Sequence, residues 1–388
     1  MTRAGQFSYP AIETVVFGRP AGEVVREQIA AAGCDRVFVL SGKSLAALAD
    51  GPLQKIRAEL GGGIVGEFNG VRAHTPREDV IAASNLARAA GADVLLAVGG
   101  GSVIDATKAA LLCLWMGLDR PEQMTSYHDK ASQPLRIVAP ARPVRMISVS
   151  TTLSAADFTP MAGVTDTATR IKQAFAHRLF APSAVVLDPC CLLDTPLALL
   201  RATAVRSVDH AVETFCSPWA NPATEPACLQ GLRLLASALR AMVEPPLDTA
   251  VLLDAQFGMW QSIHAAMSGV PTGASHGIGY VLGSGFGMVH GETSCVMLPA
   301  VLQWNAAEGD SKQARLSEAM GRPGQAASVA VRELVAGLGM PTRLRDVGIQ
   351  RGDFDEIARR ALLYPQLASN PTPVTSVEQV RQILEIAW

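Results

Sequence analysis

The sequence contains no block of basic residues, no Cys-x-x-Cys pair, no internal repeat and no low-complexity segment. Lys and Arg number 33 against 35 Asp and Glu, for a net charge of −2, so nucleic acid is not an expected partner. Long apolar runs are also missing. Val94–Val98 is stopped by three glycines, and Ala109–Met116 is too short to span a bilayer. The opening residues, Met-Thr-Arg-Ala-Gly-Gln-Phe-Ser-Tyr-Pro, lack the apolar core of a signal peptide. The seven cysteines are odd in number, which favours free, mostly buried thiols in a reducing compartment over a redox or metal pair at Cys190-Cys191. These absences predict a cytoplasmic protein outside the membrane.

What is present is apolar material. Hydrophobic residues make up 49% of 388 positions and charged residues 18%, enough for a sizeable core and against disorder. At roughly 100–200 residues per domain, two domains are expected. In the first half, strand patterns at Thr14–Phe17, Arg36–Leu40, Asp93–Val98 and Arg145–Val149 alternate with helical periodicity at Ala21–Ala32, Glu78–Ala90 and Val103–Leu114, while Ser41-Gly42-Lys43-Ser44 opens a further helix. This alternation predicts a parallel α/β sheet covered on both faces. From Asp188-Pro189 onward strand signals fade. Leu199–Phe215, Ala227–Met242, Thr249–Met267, Ser311–Met320, Gln325–Leu338 and Val377–Ile386 read as helices. Pro245-Pro246 and Asn370-Pro371-Thr372-Pro373 mark loops. The boundary is expected near residues 183–190, giving domains 1–185 and 186–388.

Three stretches carry chemistry. The first is strand, Gly99-Gly100-Gly101-Ser102, helix. Glycines let backbone pass close to a pyrophosphate, and the free N–H groups at the helix start face the anion. The pattern is neither Gly-x-Gly-x-x-Gly nor a P-loop, and it also suits a tight turn without a ligand. Asp105, in the first turn of the expected helix, either holds a ribose or nicotinamide amide or complements the helix dipole. The second is Ser150-Thr151-Thr152-Leu153-Ser154, whose hydroxyls cluster just past a strand's carboxyl end, where open α/β sheets bind ligands. Lys172 follows and is suited to a phosphate or to solvent. The third is Gly273–Thr293, which holds His276 and His290 among glycines and places Tyr280 four residues after His276. Arg206, His210 and Glu213 share one face of an upstream helix. Convergence of the three histidines on one site is expected, with the glycines bringing backbone close to a ligand.

In order along the chain, Val16-Phe17-Gly18, Ala97–Lys108, Thr151–Pro160, Asp188-Pro189, Asp209-His210-Ala211-Val212-Glu213 and Gly273–Thr293 resemble the iron-type (group III) alcohol dehydrogenase superfamily, and within it the maleylacetate reductase-like branch. The resemblance covers essentially the whole chain. It implies an α/β N-terminal dinucleotide-binding domain with a parallel sheet, an all-α C-terminal domain in a dehydroquinate synthase-like architecture, and a cleft between them where hydride moves between NAD or NADP and a small-molecule substrate. It further implies that Gly100, Gly101, Ser102 and Asp105 form the cofactor loop, that Thr151, Thr152 and Ser154 form a second cofactor segment, and that Lys172 lies near the ribose and phosphates. His210, His276 and His290 match three of four ligands for a divalent metal, Fe or Zn, in metal-dependent members.

Three departures set this chain apart. The fourth ligand position, an aspartate in metal-dependent relatives, is Arg206, whose permanent positive charge repels a cation and either suits a substrate carboxylate or, pointing away, pairs with an acid such as Asp209 or Asp254. Tyr280 stands where relatives often carry a histidine, and its reference pKa of about 10 makes a proton relay harder than the ~6.5 of histidine. Gly42 replaces the aspartate of NAD-selective relatives, so Gly42 and Lys43 admit the 2′-phosphate of NADP. The expectation is an NAD(P)-dependent oxidoreductase of a carboxylate-bearing carbonyl or alcohol, with Arg206, His210, His276, Tyr280 and His290 as catalytic candidates. The rivals are a metal-dependent alcohol dehydrogenase, a non-catalytic nucleotide-binding protein and a dehydroquinate synthase-like lyase. A homodimer is the expected assembly.

Overall fold

The computed structural model describes residues 9–129, 131–306 and 310–388. The chain forms two compact units, one made of Pro10–Thr152 and Ala156–Thr195, the other of Tyr9, Leu153–Ala155 and Pro196–Trp388.

The first unit is built on a six-stranded sheet. Its strands are β1 (Thr14–Phe17), β2 (Val37–Leu40), β3 (Ile64–Phe68), β4 (Val94–Gly99), β5 (Arg145–Ser150) and, after the hairpin formed by β6 (Met161–Asp166) and β7 (Ile171–Ala176), β8 (Ala184–Leu187). The order is β1-β8-β5-β4-β2-β3, and every pairing is parallel. β2, β4 and β8 are buried at every residue, as a sheet covered on both faces requires. Side chains alternate between two cores. Leu95 and Ala97 pack with Val103 and Ile104 of the helix Gly101–Met116 on one face, while Val94, Leu96 and Val98 pack with Val24, Val25, Leu53 and Ile56 on the other. Each such fully buried aliphatic side chain contributes about 1.5–3 kcal/mol.

Four of the six sheet strands are legible in the sequence. β3, Ile-Val-Gly-Glu-Phe, is a half-buried edge strand whose central Gly66 and Glu67 break its apolar run. β8 is only four residues long and spans the boundary drawn from the sequence at 185, so the α/β unit continues to Thr195. The helix after Gly42 covers only Lys43–Ala46.

In the second unit, helix Leu197–Cys216 is buried at every residue from Ala204 to Phe215. Glu225–Ala241, Thr249–Ser262, His264–Met267 and Asp310–Ala319 pack on it, and Ala327–Gly337 packs on Glu225–Ala241 and Asp310–Ala319. The expected helix Thr249–Met267 is thus broken at Ile263. The glycine-rich stretch forms two helices, Ala274–Phe286 and His290–Asn305, turned by Gly287 in the left-handed region at φ 73°. They share a core with Phe354–Ala361 and Val377–Ile386. No helix among the described residues is long and apolar enough to cross a membrane.

Candidate active site

The glycines of the histidine-bearing stretch serve packing within the protein. A Cβ on Gly291 would lie 2.5 Å from the backbone of Ala202, so this glycine lets helices Leu197–Cys216 and His290–Asn305 touch. A Cβ on Gly273 would lie 2.8 Å from Asn370 Oδ1 and 2.9 Å from Glu213 Oε1. The expectation that backbone approaches a ligand here is therefore corrected at these positions. Gly291 admits the backbone of a neighbouring helix, and Gly273 admits the side chains of Glu213 and Asn370.

Helix Leu197–Cys216 projects Arg206, Asp209, His210 and Glu213 into a buried polar cluster. Glu213 accepts from Gly273 N (2.8 Å) and Ser275 N (2.7 Å), and its Oε2 lies 2.7 Å from His276 Nδ1. Asp209 Oδ2 accepts from Ser275 Oγ (2.8 Å) and Ser294 Oγ (2.6 Å) and lies 3.5 Å from both Arg206 Nη1 and His276 Nδ1. Arg206 is 3% exposed and donates through Nη1 to Ser294 Oγ at 3.0 Å. Its Nε and Nη2 make no hydrogen bond to a described residue. The rings of His210 and His276 are 5.0 Å apart. Tyr280 sits edge-on to His276 at 6.2 Å and stacks on His290 at 6.2 Å with 6° between planes, while the Arg206 guanidinium lies 5.7 Å from its ring centre. All five catalytic candidates therefore belong to one neighbourhood, threaded through Tyr280.

Burial fixes the charges. It pushes His276 down to about 3 and His210 well below the usual imidazole range, with Arg206 adding to both, so the two rings are neutral. Burial raises Asp209, and it raises Glu213 to about 7 against the pull of its amide donors. Within this cluster, Asp209 Oδ1, His210 Nδ1 and His276 Nε2 are buried and make no hydrogen bond to a described residue. Among the described residues, the His, Cys, Asp and Glu atoms gathered within 4.8 Å of one another belong to Asp209, Glu213 and His276. This buried cluster is compatible with a divalent metal, but it is not the three-histidine set that the resemblance nominates. Asp209 and Glu213 were visible as Asp-His-x-x-Glu on the His210 helix, yet nothing in that spacing revealed that both would meet His276.

In the α/β unit, Gly100 is the N-cap of helix Gly101–Met116, at the carboxyl end of β4, and carries no side-chain cap. Thr151 N donates to Gly99 O at 3.1 Å, which sets the Thr151-Thr152 segment beside this loop, and Thr152 Oγ1 is buried with no partner among the described residues. The Ser102 hydroxyl accepts from His74 N at 3.1 Å, and its own O–H stays available as a donor. His74 and Thr75, both at positive φ, clamp Ser102 and were not anticipated. The helix begins at Gly101, so Asp105 lies beyond the first turn and the dipole reading is set aside. Asp105 Oδ2 instead accepts from Gly163 N at 3.1 Å. Desolvation raises its carboxyl, opposed by Lys108 and Lys172. A Cβ on Gly163 would lie 2.3 Å from Lys172 Cε and 3.4 Å from Asp105 Oδ2, so this glycine leaves room for the Lys172 side chain near Asp105. Gly42 is extended, a Cβ there would make only an ordinary contact with Val71 O at 3.7 Å, and Lys43 is exposed. Ser154 belongs to the helical unit, where Leu153 N donates to Thr203 Oγ1 (3.1 Å) and Leu153 O accepts from Ser207 Oγ (2.6 Å).

A glycine-opened helix at the end of a parallel strand, with a buried cluster of neutral imidazoles, acids and an arginine in the helical unit, places the chain in the α/β-plus-helical class. The sequence model described as Iron-containing alcohol dehydrogenase matches residues 13–189, and that described as Fe-containing alcohol dehydrogenase family, C-terminal, matches residues 201–388. The chain is similar to Dehydrogenase FUM7 of Gibberella moniliformis, at 31% identity over 90% of each chain. It is also similar to Maleylacetate reductase 1 of Rhodococcus opacus, at 28% identity over 96% of this chain and 94% of the relative. Among solved structures, 1,3-propanediol oxidoreductase superposes with a TM-score of 0.87 at 26% identity, over 99% of this chain and 100% of that one. The chain belongs to the iron-containing alcohol dehydrogenase family, on its maleylacetate reductase-like side, and is an NAD(P)-dependent oxidoreductase.

Proposed function

We propose that the protein reduces a carbonyl compound bearing a carboxylate, and that it accepts NADP(H). The observation that carries this reading is Arg206, a buried guanidinium beside two neutral imidazoles whose Nε and Nη2 have no acceptor among the described residues. A planar fork of free donors suits a carboxylate or a developing alkoxide. In the reaction, hydride passes from the nicotinamide to the carbonyl carbon, Arg206 supplies positive charge to the substrate oxygens, and water supplies the proton. His210, His276, Tyr280 and His290 shape the pocket. Gly100, Gly101, Ser102, Thr151, Thr152, Ser154, Asp105 and Lys172 hold the cofactor, and Gly42 and Lys43 leave room for a 2′-phosphate.

The unpartnered His276 Nε2 and Asp209 Oδ1 favour a second reading, in which this cluster holds a divalent cation. Such an ion would polarise the substrate oxygen. Elemental analysis of protein purified without added metal, with turnover followed by NADPH absorbance on a panel of keto acids and uncharged aldehydes, separates the readings. Keto-acid reduction by metal-free protein supports the first. Stoichiometric Fe or Zn, removed by a chelator together with activity, supports the second. Binding of NADPH without turnover of any carbonyl overturns both. The free thiols accord with a cytoplasmic location, and a homodimer is the proposed assembly.

A further inference from the structure

Glu213 makes more contacts than a helix cap needs. Its Oε1 accepts from Ser275 N at 2.7 Å, and its Oε2 faces Gly273 N at 2.8 Å, His276 N at 3.4 Å and His276 Nδ1 at 2.7 Å. Asn370 Oδ1 takes the remaining amide, Ala274 N, at 3.2 Å. The whole first turn of the histidine-bearing helix is thus held by two side chains, and Gly273 is the residue that lets Glu213 approach. Backbone N–H groups can only donate. Three of them converge on one carboxylate, so the group that completes the set, the His276 ring, satisfies it best by donating as well. A ring with its proton on Nδ1 carries a lone pair on Nε2, which is buried and meets no described residue.

We infer that Glu213 is a positioning residue that fixes His276 as the Nδ1–H tautomer, so that His276 faces the reacting groups as a hydrogen-bond acceptor at Nε2. The consequence divides the labour of the site proposed above, on which the catalytic part of this inference rests. A neutral imidazole presenting a lone pair cannot donate to a carbonyl or an alkoxide. His276 instead receives the O–H of the alcohol form or of a water, and the donors that meet negative charge belong to Arg206.

The test is ring-nitrogen NMR on the full-length protein labelled with 15N-histidine, at pH 8, with His276→Gln used to assign the His276 signals. The expected result is His276 protonated on Nδ1 and unprotonated on Nε2. Glu213→Gln keeps an acceptor for the amides but turns an N–H toward the ring, so it should flip His276 to the Nε2–H form and lower kcat roughly 10–100-fold, as loss of an orienting carboxylate does elsewhere, with the cofactor KM unchanged. A wild-type ring protonated on Nε2, or a Glu213→Gln protein with the wild-type tautomer, overturns the inference. The tautomer is read without turnover, so failure to reduce any keto acid would sink the proposed reaction and leave this result standing on its own.

Discussion

Arg206 Nη1 lies 3.5 Å from Asp209 Oδ2, within one turn of the same buried helix, and Ser294 Oγ joins the two by donating to Asp209 and accepting from Arg206. Asp209 therefore anchors one end of the guanidinium and leaves the other free. Breaking a buried pair strands the remaining charge, at a cost of about 3–5 kcal/mol. Arg206→Ala should accordingly lower the thermal midpoint as well as activity. Arg206→Lys should keep much of the stability yet lose the bidentate geometry, with kcat/KM on keto acids falling on the order of 100-fold. Steady-state kinetics beside a melting curve separates the two effects.

Arg206→Asp restores the ligand type found at this position in metal-dependent relatives. It should raise the Fe or Zn content of protein grown with added metal, relative to wild type under the same conditions. Unchanged metal content measured by mass spectrometry would count against the role assigned to Arg206.

Cofactor choice is tested at Gly42. A Cβ there would lie 3.7 Å from Val71 O, an ordinary contact, and the backbone is extended, so Gly42→Asp should fold normally. Its charge should oppose a 2′-phosphate by several kcal/mol, which at 1.4 kcal/mol per decade is on the order of 100-fold in kcat/KM for NADPH. The value for NADH should hold. Equal losses with both cofactors would contradict the assignment.

Acid stability follows from His276. Its folded pKa, about 3, lies below the ordinary 6.5 because of burial and Arg206. Between those values the unfolded chain binds a proton that the folded chain does not, so stability is fully present above about 6.5 and falls as the pH drops toward 3. Denaturant midpoints measured from pH 7 to pH 4 should fall more steeply for wild type than for His276→Asn.

Packing is tested at Gly291. A methyl group there meets the Ala202 backbone at 2.5 Å and forces two buried helices apart. Gly291→Ala should cost about 1–3 kcal/mol, read as a lowered thermal midpoint, although the residue has no polar group to contribute to chemistry.

Much of this was legible in the sequence for physical reasons. β4 and the helix after Gly100 announce themselves because a buried parallel strand is a continuous apolar run and its turn needs glycine. His210, His276 and His290 stand out because histidine is scarce here. The edge strand β3 was not legible, since its Gly66 and Glu67 carry no periodic signal. Nor were the parts of the site made by long-range pairing. Glu213 shares a face with His210, but that it would cap a helix sixty residues later, with Asn370 beside it, depends on the tertiary fold. The glycines around His276 and His290 looked like room for a ligand because a sequence records the missing side chain and not what fills its place.

Arg206 is what fits this site to an anionic carbonyl substrate. The most direct measurement is the ratio of kcat/KM for a keto dicarboxylate to that for an uncharged carbonyl of similar size, in wild type and in Arg206→Gln. If Arg206 binds the substrate's charge, the ratio is well above one in wild type and falls by about 100-fold in the variant, the loss of roughly 2–3 kcal/mol expected for a charge-assisted pair. A ratio unchanged by the substitution would contradict it.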